Sequence, residues 1–416
     1  MAKTIFAALD VGTTKTCGII ASTGDAGAFQ VLGVGVSATR GLKKGVVINL
    51  DEAKSAIREA VKKAEHASGI KMESAYVGVT GKHISSLNTR SAVAIGRGDR
   101  LVKGGDLKRV MESAREIEIP SDRRLLHVIT RQYILDGHEG VRDPVGMSGF
   151  RLDADAHVVT ASASAVLNLV KCVRGVGVEV EDLVLEPLAS GEAVLRPDEM
   201  EAGVILADIG GGTTDIAIWK GGSVWFTSVL PVGGYQVSRD IAVGMGIPYE
   251  MAEQVKVKYA NLTPGTDGKT KTEPAVVGTD NGQEILLQDL NDIVRARIDE
   301  LLRMVAMELP RSELAALAPA GLVLTGGTAN LPGIDVLSED VFRLPVRVGA
   351  PQDVYGLADI LYDPAYATSV GLLKWGAKRA GTDPVPATPL EAMGKTLRHF
   401  MFRAQRTITR ARQERR

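Results

Sequence analysis

Two stretches of this 416-residue chain follow one plan, and they limit its fold more than any other feature. Residues 6–22, FAALDVGTTKTCGIIAS, and residues 207–219, ADIGGGTTDIAIW, each run from an apolar strand through an acid and a Gly/Thr turn into a second apolar strand. Similarity within one chain is the sequence trace of a duplicated unit. Because 416 residues also exceed a single hydrophobic core, we predict two related domains.

Both turns have the chemistry of a phosphate-binding loop. Glycine lets backbone N–H groups converge on an anion, and threonine adds hydroxyl donors. The candidate phosphate-binding residues in the two turns are Gly12, Thr13, Thr14, Gly210, Gly211, Gly212, Thr213 and Thr214. Asp10 and Asp208 precede the turns, where carboxylates can hold the water molecules of Mg²⁺. The alternative is two tight hairpins whose glycines serve only the turn; the pairing of matching acids favours phosphate.

A third glycine-rich turn follows another buried strand in LVLTGGTANLPG, residues 322–333. Gly326 and Gly327 allow close approach of a flat group such as a purine, although a simple tight turn explains this stretch nearly as well when it is taken alone. Apolar periodicity predicts helices over residues 51–69, 163–177 and 290–309. Alternating strands and helices indicate an α/β protein whose ligands bind at strand ends.

The last 22 residues differ in charge from the rest of the chain. The formal net charge is −1, yet residues 395–416 carry +7, which leaves −8 for the other 394 residues. On a helical wheel one side is apolar, and Phe402 lies off that side. The apolar residues are Leu397, Phe400, Met401 and Ile408, and the flanking basic residues are Arg398, Arg403, Arg406 and Arg410.

This pattern is typical of a helix lying in a membrane interface. A disordered basic tail, a nucleic-acid arm and a helix that docks on a partner are the alternatives. The apolar face argues against the first two, because phosphate contacts need no such stripe, so we expect no nucleic-acid partner. Residues 380–394 contain three prolines among small polar residues, which predicts a flexible linker. The two cysteines form no metal or disulfide framework and favour a reducing compartment.

Four motifs taken in order resemble a known superfamily. LDVGTTKT, LEPLASGEAVL, ADIGGGTTDIAIW and LVLTGGTAN are similar to the phosphate-1, connect-1, phosphate-2 and adenosine motifs of actin, Hsp70 and sugar kinases. Residues 126–162 resemble the inserted subdomain characteristic of one branch, the bacterial cell-division actin homologues of the FtsA family. The resemblance runs from Ile5 to about Ala377, and the motif of the insert is its specific part.

The resemblance implies a site for ATP and Mg²⁺. The phosphate contacts would be Gly12, Thr13, Thr14, Lys15, Gly210, Gly211, Gly212, Thr213 and Thr214. Gly326, Gly327 and Thr328 would hold the adenosine, Glu253 and Lys256 would contact the ribose and base, and Gly233 and Gly234 are further nucleotide-binding residues. Asp10 and Asp208 would orient the water molecules on Mg²⁺. For Glu253 and Lys256, one helical turn apart, an exposed salt bridge is the alternative.

Hydrolysis would depend on an acid that relatives keep in the connect-1 motif. Glu186 stands at that position and would orient the attacking water, as phosphoryl transfer requires. Alternatively, Glu186 and Pro187 only end a strand. Asp215 is a further acid that we expect to face the same cleft. We expect at most a slow ATPase.

The resemblance also implies an actin-like, ribonuclease H-like α/β fold with two lobes around a nucleotide cleft. The predicted parts are a first lobe (1–83 and 162–198) with an insert (84–161), a second lobe (199–233 and 316–379) with a helical subdomain (234–315), a linker (380–394) and an amphipathic helix (395–416).

Members of the FtsA family tether FtsZ filaments to the inner face of the cytoplasmic membrane, and the resemblance implies a peripheral protein of the division septum. Its partners would be the FtsZ C-terminal tail, further copies joined head to tail, anionic lipids and other division proteins. Arg297 and Arg303 are candidate contacts for the FtsZ tail, with a solvated helix face as the alternative. A pilus-assembly or rod-shape relative and a small-molecule kinase of the same fold are the competing functions.

Overall fold

The computed structural model describes residues 4–23, 28–96, 98–263, 276–278, 284–310 and 317–381. The predicted amphipathic helix and residues 382–394 of the predicted linker lie outside the described residues. Contacts divide the chain into a large unit, Met1–Lys374, and a short unit, Trp375–Arg416. The last described helix begins in the large unit and continues into the short one. No helix in the described part of the chain is long and apolar enough to cross a membrane.

The described strands, in chain order, are β1 (Ile5–Val11), β2 (Lys15–Thr23), β3 (Phe29–Ala38), β4 (Leu42–Lys43), β5 (Val46–Val47), β6 (Ser74–Val79), β7 (Ser85–Ala94), β8 (Arg123–Leu135), β9 (His138–Val141), β10 (Arg151–Ser162), β11 (Glu179–Leu185), β12 (Val204–Ile209), β13 (Thr214–Lys220), β14 (Ser223–Leu230), β15 (Val276–Gly278), β16 (Glu284–Leu286), β17 (Leu322–Thr325), β18 (Val346–Val348) and β19 (Val354–Gly356). The described helices are α1 (Leu50–Ser68), α2 (Gly104–Arg115), α3 (Ala163–Arg174), α4 (Glu186–Val194), α5 (Pro197–Ala202), α6 (Gly234–Met245), α7 (Tyr249–Tyr259), α8 (Leu287–Glu308), α9 (Ile334–Phe342) and α10 (Ala367–Gly381). Short 3-10 turns cover Gly327–Asn330, Asp359–Tyr362 and Pro364–Tyr366.

Two of the sheets share one topology. The order β3-β2-β1-β6-β11 in the first sheet is repeated as β14-β13-β12-β17-β18 in the second. In each sheet the first three strands along the chain are antiparallel neighbours, and the next two pair parallel. This repeat confirms the duplication that the two Gly/Thr hairpins predicted.

The first sheet has a sixth strand that the sequence did not indicate. β19 pairs parallel with β3, although residues 316–379 were predicted to belong to the second lobe. The chain therefore returns to the first sheet before α10 begins. Pairing with β19 satisfies backbone groups along part of β3, which would otherwise be an exposed sheet edge.

Local signals at the helix ends agree with the predicted boundaries. α1 begins after Asn49, whose side chain accepts hydrogen bonds from the N–H groups of Asp51 and Glu52. It ends at Gly69, which adopts a φ of 68° and caps the last turn. Alanines and aliphatic residues of this helix are buried against the first sheet.

The predicted insert contains a four-stranded antiparallel sheet of its own, in the order β7-β10-β8-β9, with α2 packed on it. This sheet also contacts β14 of the second sheet. The buried ring of His157 lies 2.8 Å from the Thr227 hydroxyl through its Nε2 atom, and the Ser86 hydroxyl donates to the Thr227 carbonyl at 2.8 Å. The Arg131 guanidinium stacks 4.1 Å from the centroid of the Trp225 ring. On the first sheet, Leu185 N–H of β11 donates to His127 Nε2 of β8 at 3.0 Å, so the insert touches both halves of the duplication.

Candidate functional site

The two Gly/Thr turns contact each other. Each is closed by the same backbone hydrogen bond, from Gly12 N–H to the Lys15 carbonyl at 3.0 Å and from Gly210 N–H to the Thr213 carbonyl at 2.9 Å. A methyl group added to Gly211 would lie 2.3 Å from Thr14 Cγ2, far inside van der Waals contact. The equivalent turns of both sheets therefore form one site.

Four carboxyl groups lie together behind these turns. Asp10 and Asp208 are the next-to-last residues of β1 and β12, Asp215 is the second residue of β13, and Glu186 begins α4. Each of the four residues is more than nine-tenths buried. Equivalent strands of the two sheets therefore place acids at one location, although Asp10 and Asp208 are almost 200 residues apart in sequence.

Hydroxyl groups donate to three of these carboxylates. The Ser369 hydroxyl donates to Asp10 Oδ2 at 2.8 Å, and the Thr368 hydroxyl donates to Asp208 Oδ2 at 3.0 Å. The Thr80 hydroxyl donates to Asp215 Oδ1. Hydrogen bonds to a charged acceptor are the stronger class, and they offset part of the cost of burial.

The pKa values of the four acids follow from their burial. Burial raises the pKa of Asp10, and it raises that of Asp208 to about 6 and that of Asp215 to about 8. The pKa of Glu186 lies well above its ordinary value because the residue is buried and faces Asp215, Asp10 and Asp208. Removing carboxylates from water and placing them together both disfavour ionisation. A cluster of this kind therefore favours a bound cation.

Lys15 is the cation that the chain itself places beside this cluster. Its Nζ atom lies 3.6 Å from the centroid of the Tyr366 ring, an arrangement for a cation–π contact. Burial lowers the pKa of Lys15, while the nearby Asp10 acts to raise it. Tyr366 therefore holds an amine at the first turn, a role that the sequence did not indicate.

The third glycine-rich turn adjoins the second. The Thr328 hydroxyl donates to the Gly210 carbonyl at 3.2 Å, and Gly234 N–H donates to the same carbonyl at 2.9 Å. Gly326 has a φ of 84°, and its N–H donates to the Pro364 carbonyl. The structure therefore brings the residues predicted for adenosine next to those predicted for phosphate.

The predicted pair on α7 lies beside these turns. Lys256 Nζ donates to Glu253 Oε2 at 2.8 Å, to the Ser238 hydroxyl at 2.9 Å and to the Gly234 carbonyl at 3.4 Å. Lys256 is 9% exposed, so the alternative of a solvated surface salt bridge does not describe it. A buried lysine with three partners is fixed in place at the rim of the third turn.

The two arginines predicted to contact FtsZ lie on α8, and both have partners within the chain. Arg297 is about three-quarters buried and pairs with Asp240 and Glu300. Arg303 is 65% exposed and forms two hydrogen bonds to Asp299, at 2.7 and 3.0 Å. Their role in partner binding stays a prediction, and Arg303 is the more accessible of the two.

Several residues of the site were not predicted from the sequence. Thr80, Thr368, Ser369 and Tyr366 reach the acids or Lys15 only through the fold, because Ser369 is 359 positions from Asp10 and Thr368 is 160 from Asp208. Tyr366, Thr368 and Ser369 lie in the hydroxyl-bearing run PAYATS, residues 364–369. Such a run is common on ordinary helices, so it could not have identified a site.

The donor set fits a hydrated Mg²⁺ ion better than a directly coordinated metal. Among the described residues, no group of three or more His, Cys, Asp or Glu side chains is arranged to hold a metal ion. Mg²⁺ usually keeps several water molecules and binds through one or two carboxylates and phosphate oxygens. Asp10 and Asp208, beside two turns rich in N–H and hydroxyl donors, match that requirement.

Comparison with protein families gives two matches. A family described as cell division protein FtsA matches residues 205–371, and one described as the SHS2 domain inserted in FtsA matches residues 81–160. Cell division protein FtsA of Pseudomonas aeruginosa is 44% identical over 372 residues, which are 89% of each chain. FtsA of Bacillus subtilis is 36% identical over 90% of this chain and 84% of its own, and FtsA of Escherichia coli K12 is 35% identical over 88% and 89%.

Solved structures with lower sequence identity share the fold. The PilM–PilN type IV pilus biogenesis complex gives a TM-score of 0.64 at 18% identity, covering 89% of this chain and 98% of that chain. MreB5 of Spiroplasma citri bound to AMPPNP gives a TM-score of 0.51 at 14% identity, covering 90% and 98%. At such identities the likeness concerns the fold alone, and it confirms the predicted actin-like α/β architecture.

Proposed function

This chain belongs to the FtsA family of cell-division proteins, and on that premise we propose that it binds ATP, self-assembles and attaches FtsZ filaments to the inner face of the cytoplasmic membrane at the division septum. The observation that carries the nucleotide part is the contact between the two Gly/Thr turns. Glycine- and threonine-rich turns from both sheets meet there, as a cradle for a phosphate chain requires.

Each part of the ATP molecule would meet a separate group of residues. Residues 12–14 and 210–214 would surround the phosphates. The N–H groups of Gly12 and Gly210 close the turns, and the Thr214 hydroxyl donates to the Val232 carbonyl, so the phosphates would be bound by the other N–H groups and hydroxyls of these turns. The Lys15 amine would add a positive charge. Gly326, Gly327 and Thr328 would lie against the adenosine, supported by Gly233 and Gly234. The fixed pair of Glu253 and Lys256 would border the same pocket.

Mg²⁺ would be held through water by Asp10 and Asp208. The phosphate chain is anionic, and Asp10 and Asp208 would repel it once they ionise, so the two carboxylates and the phosphates can share one cleft only with a cation between them. When bound, Mg²⁺ would neutralise part of the negative charge of the phosphates. The chain's own contribution is to hold the two carboxylates at the turns, which the Ser369 and Thr368 hydroxyls do.

Glu186 is proposed to orient the water that attacks ATP. Its raised pKa suits a group that accepts a proton near neutral pH. We expect Glu186→Gln to slow ATP turnover by about 100-fold, because an amide cannot accept that proton. ATP affinity should change less than about two-fold, since the side chain keeps its size. Single-turnover hydrolysis and calorimetric titration would measure the two effects.

Glu192→Gln provides a matched control, because Glu192 lies on the same helix and is separated from Glu186 by five residues. It should hydrolyse ATP at the wild-type rate. Turnover that is equal in the wild type and Glu186→Gln would remove Glu186 from the mechanism.

The membrane end of the tether is proposed from the sequence of residues 395–416. Each basic residue near an anionic leaflet contributes about 1 kcal/mol, and only a few apolar side chains are available for burial. One segment would therefore bind weakly and reversibly. Head-to-tail assembly would place many such segments on one filament and raise the overall affinity.

The FtsZ end is proposed to lie on the helical subdomain around α8. The FtsZ tail is short and partly acidic, so an accessible arginine suits it. Arg303 would make the contact. Arg297 would act mainly by holding α8 against α6, since Asp240 lies on that helix.

Co-sedimentation of FtsZ filaments with vesicles containing phosphatidylglycerol tests both ends together. The full chain should bring FtsZ into the vesicle pellet, and the chain ending at Gly394 should leave it in the supernatant.

Phe400→Ala should weaken recruitment of FtsZ to the vesicles, whereas Phe402→Ala, off the apolar side, should not. Arg303→Glu should reduce FtsZ recruitment without reducing vesicle binding.

Arg343→Glu is the control for Arg303→Glu. Arg343 is also an exposed arginine, but it lies at the C-terminal end of α9 and not on α8. Equal recruitment by the full and truncated chains would contradict the membrane end. Vesicle binding without any FtsZ in the pellet would contradict the FtsZ end.

A further inference from the structure

We propose that Thr368 and Ser369 act together as a clamp that sets the positions of Asp208 and Asp10 in the ATP site. These neighbouring residues of α10 would fix how the two sheets present their carboxylates to hydrated Mg²⁺. The inference rests on the proposed function, because the two acids have this task only if ATP and Mg²⁺ bind between the turns.

The hydrogen bonds of the clamp join three separate parts of the large unit. Ser369 donates to Asp10 on β1 of the first sheet, and Thr368 donates to Asp208 on β12 of the second. Ser369 is fully buried, and Thr368 is 7% exposed. Consecutive Cα atoms are about 3.8 Å apart, so one peptide unit sets the spacing of the two donors. A relative shift of the sheets would strain at least one of the bonds.

The helix that carries the clamp is itself held in place. A methyl group added to Gly371 would lie 1.7 Å from the Ala189 carbonyl oxygen, so the backbones of α10 and α4 are in direct contact. α4 begins with Glu186, the third acid of the cluster. The hydroxyls are therefore mounted on a packed element, as a positioning role requires.

The clamp also determines which oxygen of each carboxylate faces the turns. Both hydroxyls donate to the Oδ2 atom. The Oδ1 atom of Asp208 lies beside Gly326, 2.4 Å from where a methyl group on that residue would be, and Oδ1 of Asp10 lies on the side of Gly12. In each carboxylate, one oxygen thus accepts a hydrogen bond from α10 and the other faces a glycine of the site.

The alternative is that the two hydroxyls only satisfy buried carboxylates and contribute to folding. The two explanations differ in one measurable respect. A general contribution to folding would change ATP affinity equally with and without Mg²⁺. A clamp on the carboxylates would change only the part of the affinity that depends on Mg²⁺.

The experiment compares ATP affinity by calorimetry in Mg²⁺ and in EDTA. Thr368→Val, which keeps the shape and loses the hydroxyl, should weaken binding in Mg²⁺ by about 10-fold, as expected for one hydrogen bond to a charged group. In EDTA the change should stay below about two-fold. Ser369→Ala should behave in the same way, and Thr368→Ser, which keeps the hydroxyl, should restore the wild-type affinity.

Ser338→Ala is the matched control, because Ser338 is a fully buried helical serine that donates to the Ile334 carbonyl at 2.7 Å. It should leave both affinities unchanged. Equal losses in Mg²⁺ and EDTA, no loss in either, or failure of Thr368→Ser to restore binding would overturn the clamp alone. Absence of ATP binding by the wild-type chain would overturn the proposed function as well.

Discussion

Gly326→Ala is expected to abolish ATP binding and to lower the free energy of unfolding by about 3 kcal/mol or more. Gly326 has a φ of 84°, which costs an L-residue about 1–2 kcal/mol. The added methyl group would also lie 2.4 Å from Asp208 Oδ1 and 2.6 Å from the Ile209 carbonyl oxygen. Because one of these atoms belongs to the backbone, the turn and the carboxylate must both move.

Two other glycines separate the causes of this effect. Gly69→Ala carries the same kind of backbone strain at a φ of 68°, with no atom within 4 Å of the new methyl group. Gly327→Ala changes the neighbouring residue, where the nearest atom would be 3.6 Å away. Chemical denaturation and ATP calorimetry should show that Gly326→Ala loses far more than either control. Nucleotide binding near the wild-type level would contradict the proposed position of the adenosine.

The second large effect is a loss of stability of the nucleotide-free protein as pH rises from 6 to 9. Burial, first of all, raises the pKa of Asp208 to about 6 and that of Asp215 to about 8, whereas both groups titrate near 4 in the unfolded chain. Between these values the folded state binds more protons than the unfolded state. The free energy of unfolding therefore falls with pH, by about 1.4 kcal/mol for each unit of a fully effective shift.

Denaturation curves at pH 6 and pH 8.5 would measure this dependence. Asp215→Asn should reduce it, because the amide stays neutral at both pH values. The lowered pKa of Lys15 acts in the opposite direction between that lowered value and the ordinary lysine value of 10.5, because the unfolded chain then binds the extra proton.

Asp155→Asn in the insert is the control for the pH experiment. Burial acts to raise the pKa of Asp155, but hydrogen bonds from Arg90 and Gln132 outweigh it and lower the pKa. Asp155 is therefore ionised at both pH values, and its replacement should change stability equally at each. A free energy of unfolding that rises between pH 6 and 8.5 would contradict the assignment of raised pKa values to the acid cluster.

Local sequence was sufficient to predict many elements because their signals are short-range. The helix predicted over 51–69 is observed at Leu50–Ser68, with Asn49 and Gly69 at its ends. The two hairpins and the strand before Gly326 also lie where the patterns placed them. Apolar periodicity, capping residues and turn glycines each involve residues that are only a few positions apart. They can therefore be recognised in a single sequence.

Contacts between distant segments were harder to predict for a physical reason. β19 joins the first sheet, and the insert contacts β14, through edge pairing and side-chain packing that no nearby residue specifies. The same holds for Lys256, whose burial depends on Ser238 and Gly234 of another helix. An i, i+3 pair has one sequence pattern whether it is solvated or buried, so only the packing around it distinguishes the two.

The sequence by itself determined the duplication, the three glycine-rich turns and the acids Asp10 and Asp208, because these are properties of residue type and order. Glu186 and Asp215 were expected at the same cleft, and only the tertiary structure decided that the two turns touch and that the four acids form one buried cluster. It alone brought Tyr366, Thr368 and Ser369 to the site. Their partners lie up to 359 positions away, and a contact between residues so far apart has no signal in the local sequence pattern. The packing of α10 against α4 is what places these side chains at the site.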